Sequence, residues 1–320
     1  MRRLSLNSNY KKYLAPALVC LALSSSLLAQ EPSPLAAKPA GPMVQFGLIV
    51  TDSKNKSLNT VTKDDIRLVE GKVEQTVLSV ERDERPVDCV LLIDSSGSLR
   101  SLMPVVMESA RLVIMNRRPE DEILIMRFIA SNTIQTVQKF TRDGDALMGA
   151  LRKFIVEGGQ SAVIDALYTG VITFAEFKKT GQERRRVVVV ITDGEDRNSY
   201  YRQEQLVKLL QQSDVQIFAL GLVTDLDKQS GMVRISPRDK AEKLLQMVTS
   251  ETGGRVFFPK NQTELIDSME QIITDLRGQF RVRYQPANGE KKEFRKIDVK
   301  LVSPNGEKRK AIVSRAYELP

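Results

Sequence analysis

The sequence predicts an α/β protein: a doubly wound, mostly parallel sheet flanked by N- and C-terminal β segments. Three observations carry that expectation. Runs such as Val90-Leu91-Leu92-Ile93 and Val187-Val188-Val189-Val190-Ile191 are continuously apolar, as strands covered on both faces are. Stretches with apolar residues at helical spacing alternate with those runs, which is the pattern of repeated βαβ units. On either side of this region lie shorter β-like runs broken by turn signals, among them Asn288-Gly289 and Asn305-Gly306.

Residues 1–29 read as a secretory signal. Arg2, Arg3, Lys11 and Lys12 form a basic start without an acid, and Leu14 to Ala29 is apolar or small. Pro16 and Ser24-Ser25-Ser26 interrupt this run, which is short for the roughly 20 residues a membrane span needs. Cleavage before Gln30 is expected, with export to the periplasm or the medium and no membrane span in the mature chain. Cleavage removes four basic residues and no acidic one, so the net charge falls from +8 to +4. That mild balance calls for no nucleic-acid partner. It also leaves Cys89 as the sole cysteine of the two, inside an apolar strand, so no intramolecular disulfide is available.

Residues 30–43 are proline-rich and read as a linker. Residues 44–85 form a β segment, with strands predicted over 44–50, 66–70 and 73–80 and a polar turn at 62–65. This segment is too short for a good core of its own. Residues 86–278 are the α/β domain. Strands are predicted over 87–94, 122–130, 133–140, 186–192, 215–223 and 255–259, and helices over 99–115, 145–156, 162–177, 203–212, 239–252 and 262–276. Ser131-Asn132 marks a hairpin, hence one antiparallel edge strand. Residues 279–320 are β-like again, with strands over 280–284, 294–302 and 311–317. The economical arrangement pairs the two β segments with each other, with the α/β domain inserted between them.

The chemistry-bearing residues lie where the apolar runs end. Asp94-Ser95-Ser96-Gly97-Ser98 follows the first run and places a carboxylate and two hydroxyls in a loop at a strand's carboxyl end, where open α/β sheets bind ligands. Alone, this pattern reads more simply as a helix N-cap. Gly158-Gly159-Gln160-Ser161 sets a hydroxyl in a glycine loop before a helix, and Ile191-Thr192-Asp193-Gly194 ends another apolar run in a carboxylate. Taken singly, these are a cap and a turn. Three oxygen-bearing loops in this order are hard to obtain by chance. Carboxylates and hydroxyls are hard donors suited to Mg²⁺ or Mn²⁺ rather than Zn²⁺, and a chain with no histidine has no imidazole chemistry.

On these motifs, residues 86–278 resemble the von Willebrand factor A (vWA) family, whose sheet is Rossmann-like. The flanking segments, with Val50-Thr51-Asp52-Ser53-Lys54 and Lys63-Asp64-Asp65-Ile66-Arg67-Leu68 before the domain and a β tail after it, resemble an exported bacterial subfamily best known from acidobacteria. The resemblance implies a metal-ion-dependent adhesion site (MIDAS). Asp94, Ser96, Ser98, Ser161 and Asp193 would hold one Mg²⁺, directly or through water, with Mn²⁺ as a substitute. A protein partner's Asp or Glu would complete the metal shell. The family usually carries threonine where this chain has Ser161. The implied function is adhesion or scaffolding, not catalysis.

Two other readings stand beside this one. The Asp94 run and the later Asp193-Gly194-Glu195-Asp196 are also similar to Mg²⁺-dependent haloacid-dehalogenase-type phosphatases. Those enzymes need an acid two residues after the first aspartate, where this chain has Ser96. A scaffold that binds without metal is the other. Arg184-Arg185-Arg186 reads as a solvated edge, the 262–276 helix as an amphipathic core helix, and Tyr200-Tyr201 as either a rim to the site or packing.

Overall fold

A computed structural model describes residues 42–177, 183–226, 235–287, 294–302 and 306–319. The signal segment, most of the proline-rich linker, the Asn288-Gly289 turn and Asn305 lie outside the described residues. β1 (Val44–Thr51), β2 (Ile66–Glu70), β3 (Val73–Gln75) and β4 (Val77–Arg82) precede the α/β region. That region runs β5 (Val87–Asp94), α1 (Met103–Met115), β6 (Glu122–Phe128), β7 (Ile134–Thr141), α2 (Gly144–Arg152), α3 (Val163–Glu176), β8 (Arg185–Thr192), α4 (Gln203–Gln211), β9 (Gln216–Gly221), α5 (Pro237–Thr252), β10 (Val256–Phe257) and α6 (Gln262–Gly278). β11 (Phe280–Tyr284), β12 (Phe294–Arg295), β13 (Ile297–Leu301), β14 (Lys310–Val313) and β15 (Ala316–Glu318) follow.

The central sheet has the order β10-β9-β8-β5-β6-β7, parallel except for β7, which pairs antiparallel with β6. Every residue of β5 and β8 except Arg186 is buried. Successive side chains point to opposite faces, and the two cores follow that alternation. Cys89, Leu91 and Ile93 face the core made with α1, α2 and α6, whereas Val90 and Leu92 face the core made with α3, α4 and α5. α6 presents Leu265, Met269, Ile272 and Leu276 to the first of these, as an amphipathic core helix does. Burial pushes the Cys89 thiol up to about 12, so it serves as a small apolar side chain. The chain leaves β5 toward β6 on one side and later returns to lay β8 on the other. The carboxyl ends of β5 and β8 therefore flank the switch point at which α/β sheets open a crevice.

The flanking strands form two further sheets among the described residues. One has the order β12-β15-β1-β11-β4, with β14 also on β1, and the other is β13-β2-β3. N-terminal β1 pairs with C-terminal β11, β14 and β15, and β2 pairs with β13. Phe46, Leu48, Ile66, Leu68, Val282 and Tyr284 close one core between the two sheets, a small sandwich.

Several expected elements differ. The strand expected over 73–80 is two, because β3 joins the small sheet and β4 the larger one. The 294–302 strand divides for the same reason, and the 311–317 strand breaks at Ser314, whose hydroxyl accepts the Gly47 N–H. α1 starts at Met103 rather than 99: residues 97–99 form a 3₁₀ turn, and Pro104 lies in the first turn, where its missing N–H costs nothing. α2 stops at Arg152, short of 156, and the chain turns away so that the Glu157 N–H reaches the Ser95 carbonyl. The 62–65 turn contains a short 3₁₀ helix.

Arg184-Arg185-Arg186 is not a solvated edge. The Arg184 side chain is 6 % exposed and pairs with Asp88, Arg185 is 5 % exposed beside Asp83, and Arg186 reaches Asp214. The run lies where the α/β region joins the sandwich. There the Asp83 N–H bonds the Gln279 carbonyl, so the chain enters and leaves the region at one point. Arg185 donates to the Leu276 carbonyl at 2.7 Å and contacts Gln216 and Gln279.

Candidate metal centre

The register of the central strands assembles the site. Ile93 pairs with Ile191, so Asp94 and Thr192 stand side by side at the strand ends. The Thr192 hydroxyl donates to Asp94 Oδ2 at 2.7 Å, and the Ser96 N–H to Asp94 Oδ1 at 2.9 Å. The 3₁₀ turn after Asp94 brings Ser96 Oγ within 3.0 Å of Ser98 Oγ. Ser98 Oγ then donates to Asp193 Oδ2 at 2.6 Å. From the third loop, Ser161 Oγ lies 3.4 and 3.3 Å from the two Asp94 oxygens. All five expected residues thus meet in one hydrogen-bonded cluster. Asp94, Ser96, Ser161 and Asp193 are buried, and Ser98 is exposed.

The simpler readings of these motifs do not describe the geometry. α1 has Leu102 at its N-cap and α3 has Ala162, and neither makes a side-chain cap bond. Ser96, Ser98 and Ser161 spend their hydroxyls on one another and on the two aspartates instead. Asp193 does serve its turn, since Oδ1 accepts the Glu195 N–H at 3.0 Å. Gly194 takes φ +75 there, and a Cβ would press on Ala241 and Leu245 of α5, so glycine suits this turn.

The charge balance sets the two site aspartates apart from most others. Four other buried aspartates have arginine partners: Asp83 with Arg85, Asp88 with Arg184, Asp121 with Arg277 and Asp275 with Arg255. A fifth, Asp165, is held by two backbone N–H groups instead. Among the described residues, no lysine or arginine forms an ion pair with Asp94 or Asp193. Burial and the neighbouring Asp193 charge push Asp94 up to about 6, against the hydrogen bonds from Ser96 and Thr192. Burial likewise raises Asp193, against the Ser98 bond. The Arg197 charge also acts on Asp193, although Arg197 pairs with Glu195. Two buried carboxylates with three hydroxyls and no ion-paired cation form a donor set that fits a hard divalent cation. Among the described residues, no group of three or more His, Cys, Asp or Glu side chains is placed to hold a metal.

A pH dependence follows. Asp94 holds its proton to a higher pH in the folded chain than in the unfolded one. Its ionisation therefore destabilises the metal-free fold as pH rises through about 6. A cation needs the ionised form. The rise in melting temperature on adding Mg²⁺ is expected to be full at pH 7.5 and largely lost by pH 5, as differential scanning fluorimetry at the two pH values would show.

Sequence reasoning missed three participants. Thr192 orients Asp94, yet it reads as the last residue of a strand. Asp165 and Asp196 tie the site loops together, yet each reads as an acid near a helix start or in a turn.

An open α/β sheet with helices on both faces, and an acid- and hydroxyl-lined site at its switch point, defines a Rossmann-like ligand-binding architecture. The von Willebrand factor type A domain model matches residues 88–271. The chain belongs to that family, whose domain is a protein-interaction module.

Comparison with curated protein sequences finds no match. Among solved structures, the chain is similar to a von Willebrand factor type A protein from Catenulispora acidiphila, with 12% identity over 87% of this chain and 75% of that one and a TM-score of 0.48. It is also similar to an aerotolerance-related membrane protein from Bacteroides fragilis, with 19% identity over 59% and 98% of the two chains and a TM-score of 0.43. A third is proximal thread matrix protein 1 of the mussel byssus, in a structure with a zinc-occupied MIDAS motif. It shows 19% identity over 63% and 48% of the chains and a TM-score of 0.48. The family assignment rests on the matched family model.

Proposed function

We propose that this chain is an exported, non-enzymatic protein-binding module for adhesion or scaffolding, with residues 86–278 as the module. Asp94, Ser96, Ser98, Ser161 and Asp193 would hold one Mg²⁺, with Mn²⁺ as a substitute. The ion would supply a position for an Asp or Glu carboxylate of a protein partner. One observation carries this reading: three hydroxyls and two buried carboxylates from three loops meet in one cluster, and neither carboxylate is in an ion pair among the described residues. Three of the five donors are neutral, so they quench less of the ion's charge than carboxylates would and favour a further acidic ligand. Ser96 stands where the phosphatase reading needs an acid, so that reading gains no support.

Residues 1–29 would direct export to the periplasm or the medium. No helix among the described residues is long and apolar enough to cross a membrane.

The test is capture of a partner from the native exported fraction. Capture is expected with Mg²⁺ present. It is expected to be lost with EDTA, and lost again in Asp94→Ala and Asp193→Ala. A partner that stays bound to both variants and in EDTA contradicts the metal-mediated mode and favours the metal-independent scaffold.

A further inference from the structure

We infer that Asp165 and Asp196 are positioning residues: they latch the Ser161 loop to the Asp193 loop, and this latch sets the metal affinity of the site. The inference deepens the reading above and rests on it for the affinity claim. Neither aspartate is among the five proposed ligands.

Two loops from distant parts of the chain must hold Ser161 and Asp193 in register. Asp165, 3 % exposed in the first turn of α3, spends both carboxylate oxygens on the second loop. Its Oδ2 accepts the Tyr200 N–H at 2.7 Å and its Oδ1 the Tyr201 N–H at 2.8 Å. Asp196 reaches back the other way, and Oδ1 accepts both the Ile164 N–H at 3.1 Å and the Ser199 hydroxyl at 2.5 Å. Ser199 Oγ in turn accepts the Asp165 N–H at 3.2 Å. α3 has alanine at its own N-cap, so Asp196 and Ser199 cap it from across the crevice.

The latch closes on the site itself. The Arg197 and Asn198 N–H groups both donate to the Ser161 carbonyl, at 2.9 and 3.2 Å. The Ser131 hydroxyl donates to the Asn198 carbonyl at 2.5 Å, and the Ala162 N–H to the Ile129 carbonyl at 2.7 Å. Ser161 is thus fixed through its backbone by the segment that follows Asp193. Its hydroxyl, at 3.3 to 3.4 Å from Asp94, is the loosest link of the cluster and the one most exposed to loop movement.

The two aspartates use their oxygens differently, and that separates positioning from charge. Asp196→Asn keeps the one carbonyl oxygen that makes both bonds. Asp165→Asn cannot keep both of its bonds, because an amide nitrogen would face a backbone N–H. Each change removes one negative charge near the site.

The test uses the full chain. Mg²⁺ affinity is measured by isothermal titration calorimetry, and backbone exchange over residues 195–201 is measured without metal by hydrogen–deuterium exchange. Asp165→Asn and Asp196→Ala are expected to weaken Mg²⁺ binding by about 10-fold or more, in the range found when groups that orient metal ligands are removed. Both should speed exchange of the Tyr200 and Tyr201 segment. Asp196→Asn should stay within about 3-fold of the parent affinity by the same reasoning, with slow exchange. Equal weakening in both asparagine variants would assign the effect to charge and overturn the latch. Faster exchange with unchanged affinity would overturn the positioning role. A parent chain that takes up no Mg²⁺, with exchange still quickened by Asp165→Asn, would overturn the metal reading and the affinity claim while leaving the loop contacts intact. If Asp165→Asn does not fold, the Asp196→Ala and Asp196→Asn pair decides.

Discussion

Replacing Asp94 with asparagine is expected to stabilise the metal-free protein and to abolish its response to Mg²⁺. Most substitutions of a fully buried residue destabilise. Here the residue carries an ionised carboxylate with no cationic partner, beside a second carboxylate. Its upward shift to about 6 from 3.8 corresponds to about 3 kcal/mol of unfavourable interaction above pH 7, at ~1.36 kcal/mol per unit. Asparagine is nearly isosteric and uncharged. Its carbonyl can accept the Ser96 N–H, and the Thr192 hydroxyl can turn to accept from its amide. Urea denaturation in EDTA at pH 8 should therefore show a gain of up to about 3 kcal/mol. With Mg²⁺ at about 100 times its Kd the parent should gain about 2.7 kcal/mol and the variant nothing. A variant that loses stability in EDTA, or that still responds to Mg²⁺, would mean that Asp94 is a structural acid.

The second large effect lies at the junction between the sandwich and the α/β region. Asp83→Ala is expected to cost about 3–5 kcal/mol, because Arg185 would be left buried without a carboxylate. Burial holds the Arg185 guanidinium down to about 10, and Asp83 opposes that shift. Asp83 is itself pushed up by burial, but the Arg85 hydrogen bonds and the Arg185 and Arg85 charges outweigh this and leave it lowered. For a chain of this size the loss amounts to about 10 °C in melting temperature. The double variant Asp83→Ala with Arg185→Met should recover much of the loss, since an apolar side chain of similar length tolerates the pocket. A loss below about 1 kcal/mol in the single variant would show that the Leu276 carbonyl, Gln216 and Gln279 suffice to hold Arg185.

The α/β architecture was legible because burial on both faces leaves an unbroken apolar run. β5 and β8 carry such runs, and each ends in the acid-bearing loop at the switch point. The five clustered residues were legible as oxygens at strand ends and helix starts. Their mutual contacts were not, since these depend on the Ile93–Ile191 register and on a 3₁₀ turn that local patterning does not specify. The latch was invisible for a related reason: Asp165 is an acid in a first helical turn, a position that the helix dipole alone would explain. Arg184-Arg185-Arg186 misled most. A basic run looks solvated until Asp88, Asp83 and Asp214, each distant in sequence, are folded against it. The breaks between β3 and β4 and between β12 and β13 were missed because a strand that changes sheet keeps the same residue preferences on both sides of the break.

Calorimetric titration of the metal-free full chain with Mg²⁺ at pH 7.5, with and without an acidic peptide, tests the central claim most directly. Saturable uptake of one ion per chain, tightened by the peptide and absent in Asp94→Asn, is the predicted result. Failure to take up Mg²⁺ or Mn²⁺ even with the peptide present would contradict it.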